Sequence, residues 1–226
     1  MIEALPPGVI LILGSLLIPL FQKRFQPVLT LVLPALGLAQ LILLEPGVSH
    51  QLRIFDYELI VVRVDRLSLI FGYIFHLGAF LSAVYALHVR DSVQHVSAMI
   101  YVGAAVGAVF AGDLITLFVY WELTAVSSVF LIWATRTEAS YRSGMRYLVI
   151  QVGSGVLLLA GVIAHASATG SIAFGKLIGD DGLLSTASPG VVLIFLAFGV
   201  KSAFPFLHNW LQDAYPNGTV TGTVFL

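Results

Sequence analysis

The sequence predicts an all-α integral membrane protein with about seven transmembrane helices, the seventh broken at a proline. Its 226 residues are 58% hydrophobic and only 10% charged, with a mean hydropathy of +0.97, whereas a soluble domain carries about 25% charged residues. Too few polar side chains exist to cover a globule, so much of the apolar surface faces lipid or other subunits. Seven apolar stretches approach the roughly 20 residues that cross about 30 Å of hydrocarbon, and most charges fall between them.

The first stretch, 5–21, has no positive segment before it; Glu3, Pro6 and Pro7 stand there and no small-residue cleavage site follows, so it reads as a first span and not a cleaved signal. Gln22-Lys23-Arg24 separates it from the second, 27–44. The polar segment 45–65 mixes Arg53, Asp56, Glu58, Arg63 and Asp65 with β-formers, which suits an extra-membrane loop or short hairpin. Spans at 66–88, 93–111, 114–134, 145–167 and 188–212 follow, divided by Arg90-Asp91, Gly112-Asp113, the stretch from Arg136 to Arg142, and Gly170 to Ser188. Gly103 and Gly107, and Gly153, Gly155 and Gly161, suit close helix packing. Thr219 to Leu226 reads as the start of a further apolar span. Lys23, Arg24, Arg90, Arg136, Arg142 and Arg146 fall on one side, against Arg53, Arg63, Arg66 and Lys176 on the other, an imbalance that places the N-terminus outside.

Glu122 follows eight uncharged residues after Asp113 and precedes thirteen before Arg136, which sets it roughly 13 Å above Asp113, near mid-membrane. A carboxylate there costs several kcal/mol unless paired, hydrated or protonated, so Glu122 is placed either to load and release a proton or to serve as a structural carboxyl bonded to a neighbouring helix. Lys201 lies about thirteen residues into the seventh span. It is the natural counterpart of Glu122; the bland alternative is snorkelling to the interface. Pro205, four residues on, removes the hydrogen bond to the Lys201 carbonyl, and such breaks survive in membranes where they line polar cavities or simply kink a packing helix. His208, seven residues past Lys201 on nearly the same helical face, titrates in the range of a proton relay, or is a satisfied hydrogen-bonding residue. Arg136, Arg142 and Arg146 read as interfacial anchors, with Arg142 or Arg146 a possible balance for Glu122.

The remaining features exclude chemistry. There are no cysteines, hence no disulfide or thiolate metal site. His76, His88, His95 and His165 show no metal-ligand spacing, no nucleotide or nucleophile-elbow motif occurs, and Asn217-Gly218-Thr219 is a sequon by chance. No cofactor and no nucleic acid is expected, and an independent enzyme is not indicated.

Two stretches carry a resemblance. Asp113 to Glu122 (DLITLFVYWE) and Gly199 to Tyr215 (GVKSAFPFLHNWLQDAY), with Val64 to Phe71 (VDRLSLIF), resemble the antiporter-like membrane subunits shared by respiratory complex I, membrane-bound hydrogenases and Mrp-type cation/proton antiporters. The likeness runs over 60–226. Tyr215-Pro216 and the Asp-rich sixth loop resemble the D-type subunit within that family. The resemblance implies the N-terminal half of a fourteen-helix inverted-repeat module in a prokaryotic inner membrane, with other membrane subunits as partners. It also implies a proton path through a Glu122–Lys201 ion pair continued by His208, with Na⁺ as the second ion of an antiporter or with a redox reaction driving the path from elsewhere. Residues 1–65 then hold helices 1–2 and the polar loop, and 66–226 hold the half-channel, helices 3–7 and the start of an eighth. Gln212 and Tyr215 stand where the family usually has proline and histidine, and no role carries to them.

Overall fold

The computed structural model describes residues 5–54, 57–174, 177 and 188–226; Glu3, Asp56, Lys176, Asp180 and Asp181 lie outside the described residues. The elements run α1 (Val9–Ser15), α2 (Gln26–Ile42), β1 (Gly47–Ile54), β2 (Tyr57–Val64), α3 (Arg66–Tyr85), α4 (Ser92–Phe110), α5 (Leu114–Trp133), α6 (Glu138–Thr169), α7 (Pro189–Lys201), α8 (Asn209–Ala214) and α9 (Val220–Phe225). Among the described residues four helices are long and apolar enough to cross a membrane, Arg66–His88, Ser92–Phe110, Leu114–Trp133 and Glu138–Thr169, and three shorter apolar helices span Val9–Leu20, Gln26–Ile42 and Pro189–Lys201.

Side-chain oxygens start these helices by accepting N–H groups that the first turn leaves unpaired. Asp65 Oδ1 accepts from Ser68 N at 2.8 Å while Ser68 Oγ accepts from Asp65 N at 2.8 Å, and this capping box holds the Asp65 carboxyl below the usual aspartate range. Thr137 and Ser140 repeat the box at α6, Asp91 and Ser188 cap α4 and α7, and Gly170 ends α6 at φ 71.

The molecule is apolar outside and more polar within. On α3, Leu67, Ile70, Ile74, Leu77 and Leu81 are exposed, while Ser68, Gly72, His76, Ala79 and Ala83 are buried. That arrangement suits a helix with lipid on one face. One core joins Leu11, Leu33, Leu41, Val62, Met99 and Phe110, and a second joins Leu114, Trp121, Leu158, Ile194 and Ala197. Gly103 packs against Gly8 and Ile12 of the first segment, and Gly107 against Tyr120.

Within the otherwise helical chain, the polar segment expected as an extra-membrane loop or short hairpin forms an antiparallel hairpin, β1–β2, with a register irregularity around His50. An isolated two-stranded hairpin is marginal in water; this one is held by the start of α5. Ile60 O accepts from Gly112 N at 2.9 Å and Ile60 N donates to Asp113 Oδ2 at 2.7 Å. A Cβ at Gly112 would overlap the Ile60 side chain, so this approach requires glycine.

The seventh span is also shorter as a helix than 188–212. Helix α7 stops at Lys201, four residues before Pro205. Beyond it Ala203 (φ 53) and Phe206 (φ 72) take left-handed backbone, which side-chain-bearing residues seldom adopt.

Candidate functional site: a lysine docked beside a buried glutamate

Three helices build the site. Gly155 of α6 faces Glu122 of α5, and a Cβ there would overlap Glu122 Oε1. Glycine therefore makes the space the carboxyl occupies. Glu122 Oε1 is buried and has no hydrogen-bond partner. Of the other glycines read as packing residues, Gly161 meets Gly190 and Ile194 of α7, whereas Gly153 faces open space.

Lys201 reaches α5 from the end of α7. Its Nζ donates to Thr124 Oγ1 at 2.9 Å and to Trp121 O at 3.3 Å, and lies 5.1 Å from the centroid of the Trp121 ring. Being the last residue of α7, Lys201 also sets its cation at the negative end of the helix dipole. The expected direct ion pair is not formed: among the described residues no salt bridge joins Glu122 and Lys201. The ammonium is held instead at the two residues that flank the α5 turn beginning at Glu122.

Trp121 is fixed in turn. Its indole N–H donates to Ser154 Oγ at 3.1 Å, and Ser154 Oγ donates to Gln151 O at 2.6 Å. Ser143, Tyr147, Gln151 and Ser154 are all buried on α6, at the spacing of a single helical face. Gln151 Oε1 is a second buried oxygen without a partner. One turn further toward the start of α6, Tyr147 OH and Ser128 Oγ lie 2.8 Å apart. Another turn on, Ser143 Oγ donates to Asp213 O at 2.7 Å, and Arg146 pairs with Asp213 through two bonds of 2.7 and 2.8 Å. Polar groups thus line one face of α6 from Ser154, beside Trp121, to Ser143 near the start of the helix. Sequence reading did not single out Thr124, Gln151, Ser154, Tyr147 or Ser128. A lone carboxamide in LVIQVGSGV was the available signal for Gln151.

Arg142 pairs with Glu138 and Arg146 with Asp213, so neither balances Glu122. His208 lies just before α8, half-buried. It does not continue the face of Lys201, because the helix has ended; no side-chain hydrogen bond joins the two. Pro205 lies in the break, which is closed by Trp210, whose indole N–H donates to Val200 O at 3.0 Å and whose ring packs edge-on against Tyr147 at 5.4 Å. Among the described residues no cluster of His, Asp and Glu suits a metal ion.

Comparison with known proteins follows the same residues. The family described as NADH:quinone oxidoreductase/Mrp antiporter, TM matches residues 111–226, just over half of the chain and the whole of the site. The chain is 32% identical over 165 residues to the A-type subunit of the Na⁺/H⁺ antiporter of Alkalihalophilus pseudofirmus, covering 68% of this chain and 20% of that protein. It is 37% identical over 121 residues to the N-type subunit of the NADH-quinone oxidoreductase of Desulforamulus reducens, covering 51% of this chain and 25% of that one. The chain therefore spans a quarter or less of the length of these relatives. In fold it is similar to a chain of the Mrp complex from Dietzia sp. DQ12-45-1b, with a TM-score of 0.79 at 19% identity over 99% of this chain and 45% of that chain. It is also similar to a chain of respiratory complex I from Thermus thermophilus, with a TM-score of 0.74 at 19% identity over 100% of this chain and 49% of that chain. The two relatives are of the A and N types, so the D-type likeness is one they do not single out. With its apolar exterior, its half-buried glutamate and lysine, and the family match over residues 111–226, the chain belongs to the NADH:quinone oxidoreductase/Mrp antiporter transmembrane family and is a multi-pass protein of a prokaryotic inner membrane.

Proposed function

We propose that the chain is a proton-conducting subunit of a multi-subunit monovalent cation/proton antiporter, with Na⁺ as the exchanged ion, and that protons pass by way of Glu122 and Lys201. The observation that supports it most directly is the position of Lys201, bonded to Trp121 and Thr124 on either side of Glu122 and not to the carboxylate itself. A lysine parked one step from a buried carboxyl has two resting places, and moving between them changes which proton-binding group is charged. The polar row Gln151, Tyr147–Ser128 and Ser143–Asp213 supplies a path from Glu122 to the edge. Its two unpartnered oxygens, on Glu122 and Gln151, are acceptors that a water chain satisfies. His208 continues the route on the far side of the break at Pro205.

In this reading seven helices cross. Helix α7 is about 20 Å long and the first segment about 18 Å, so α7 shares its crossing with the break and α8, and the first segment is lengthened by Leu5 to Gly8. Residues 66–226 form the half-channel and 1–65 support it. The partners are other membrane subunits, and no chemistry occurs in this chain. The match to the N-type oxidoreductase subunit favours a second reading, in which the same path belongs to a redox-driven pump of the complex I or hydrogenase type. A scaffold bundle that conducts nothing is the third.

Vesicles holding the assembled complex, with Glu122→Gln or Lys201→Ala, decide between conduction and scaffold. Loss of proton flux with assembly intact is expected; wild-type flux in both variants refutes the path. Dependence of the flux on a Na⁺ gradient separates the antiporter from the redox-driven pump.

A further inference from the structure

The loops at the Arg136 end gather around a groove that the proton path does not use. Between α4 and α5 the surface opens into a cleft of 500 Å³ lined by Val93, Val96, Ile100, Leu123, Val126 and Phe130, with Pro19 and Ser92 at one end. Its walls offer little to a polar ligand: the hydroxyl of Ser127, another lining residue, is spent on Leu123 O at 2.6 Å. From Ser92 to Ile100 the cleft follows α4 for about 12 Å, a little less than half of the roughly 30 Å hydrocarbon layer. It is a slot for one hydrocarbon chain entering at an interface and ending near the mid-plane.

The mouth of the slot is cationic. Ser92 Oγ donates to Gln26 Oε1 at 2.8 Å, which brings the loop carrying Lys23 and Arg24 to the head of α4. Arg136 donates to Asp91 Oδ2 at 3.1 Å, which brings the α5–α6 loop to the same place. Lys23, Arg24, Arg90 and Arg136 are all exposed. Asp91 and Glu138 pair with Arg136 and Arg142, and among the described residues no ion pair engages Lys23, Arg24 or Arg90. The Arg24 guanidinium lies over the Phe25 ring at 4.6 Å, the arrangement of an amphipathic interfacial anchor. Arg136 is held in left-handed backbone, φ 59.

We propose that the α4–α5 groove binds one acyl chain of an anionic phospholipid, whose phosphate is held at the mouth by Arg24 and Arg90. Apolar volume accounts for the chain, and the basic rim accounts for the preference over a zwitterionic lipid, since basic residues at the surface attract anionic headgroups.

The chain has no cysteine, so a single Val126→Cys, at a position 46% exposed on the groove, takes one thiol-reactive fluorophore. Val149→Cys, 67% exposed on α6, serves as the lipid-facing control. The full chain is reconstituted in phosphatidylcholine vesicles carrying a minor fraction of brominated phosphatidylglycerol or brominated phosphatidylcholine. Quenching at position 126 is expected to favour the anionic lipid about fivefold and to lose that preference as salt rises. Position 149 shows no preference, and Arg24→Gln with Arg90→Gln reduces the ratio at 126 to that at 149. Equal quenching by both lipids at position 126 overturns the proposal and leaves ordinary lipid contact. Absence of quenching by either lipid overturns it too, because protein then fills the groove. Both outcomes are read with the arginines intact, so misfolding of the double variant cannot mask them.

Discussion

The ammonium of Lys201 lies 2.9 Å from the hydroxyl of Thr124, two residues past Glu122 on α5. This bond sets where the lysine rests. In Thr124→Val the shape is kept and the acceptor lost, leaving the Trp121 carbonyl as its remaining bond. A hydrogen bond to a charged group contributes about 1.5–3 kcal/mol, so proton flux in vesicles is expected to fall by roughly tenfold or more, and Thr124→Ser to stay near wild type. Unchanged flux in the valine variant removes Thr124 from the mechanism.

Gln151 tests the row on α6. Gln151→Leu keeps the volume and removes the unpartnered carboxamide oxygen, so flux is expected to drop by about tenfold with no loss of thermal stability. Stopped-flow acidification of vesicles reads the first and scanning of the detergent-solubilised protein the second. A leucine variant that conducts normally means the path leaves Glu122 by another face.

Gly155 and Gly153 form an internal control. Gly155→Ala places a methyl on Glu122 Oε1 and is expected to cost about 1–3 kcal/mol, lowering the unfolding midpoint. Gly153→Ala meets nothing within 4 Å and gains helix propensity, so it should be neutral or stabilising by up to about 1 kcal/mol. Equal effects of the two would show that Glu122 does not rest against α6.

The Arg146–Asp213 pair governs an acid dependence. The Arg146 hydrogen bonds hold the Asp213 carboxyl below the usual aspartate range. A depressed carboxylate pKa stabilises the folded state above the ordinary value of about 3.9 and loses that contribution as pH falls through the folded value. The pair is partly exposed, so solvent screening keeps its contribution small. Asp213→Asn is expected to lower the unfolding midpoint slightly at neutral pH, and the difference from wild type to shrink as the pH falls through the lowered Asp213 value. A gap that persists in acid would assign the effect to Ser143 and packing.

That Glu122 lies inside a long apolar helix was legible because hydropathy counts distance along a helix and the charged breaks mark its ends; Lys201 instead stands at the end of α7. Their relation was not legible. Which residue of α5 receives Lys201 depends on how α5, α6 and α7 pack, and the nearest acceptor is an uncharged threonine that no charge-pairing argument selects. Arg146 was read as a possible partner for Glu122 by proximity in sequence, yet it joins Asp213, 67 residues away. Pro205 announced a break but not its start: the helix ends at Lys201 because Ala203 and Phe206 adopt backbone that their residue types do not announce. The hairpin was anticipated from its β-formers and charges, whereas its attachment to Asp113 depends on tertiary approach over 53 residues.

Asp113 carries a mechanical consequence. One carboxylate accepts Ile115 N and Thr116 N of α5 at 2.9 and 2.8 Å and Ile60 N of β2 at 2.7 Å. The hairpin and the helix bearing Glu122 thus share a rivet, and a tug on the strand is delivered to the rod two and a half turns from the carboxyl.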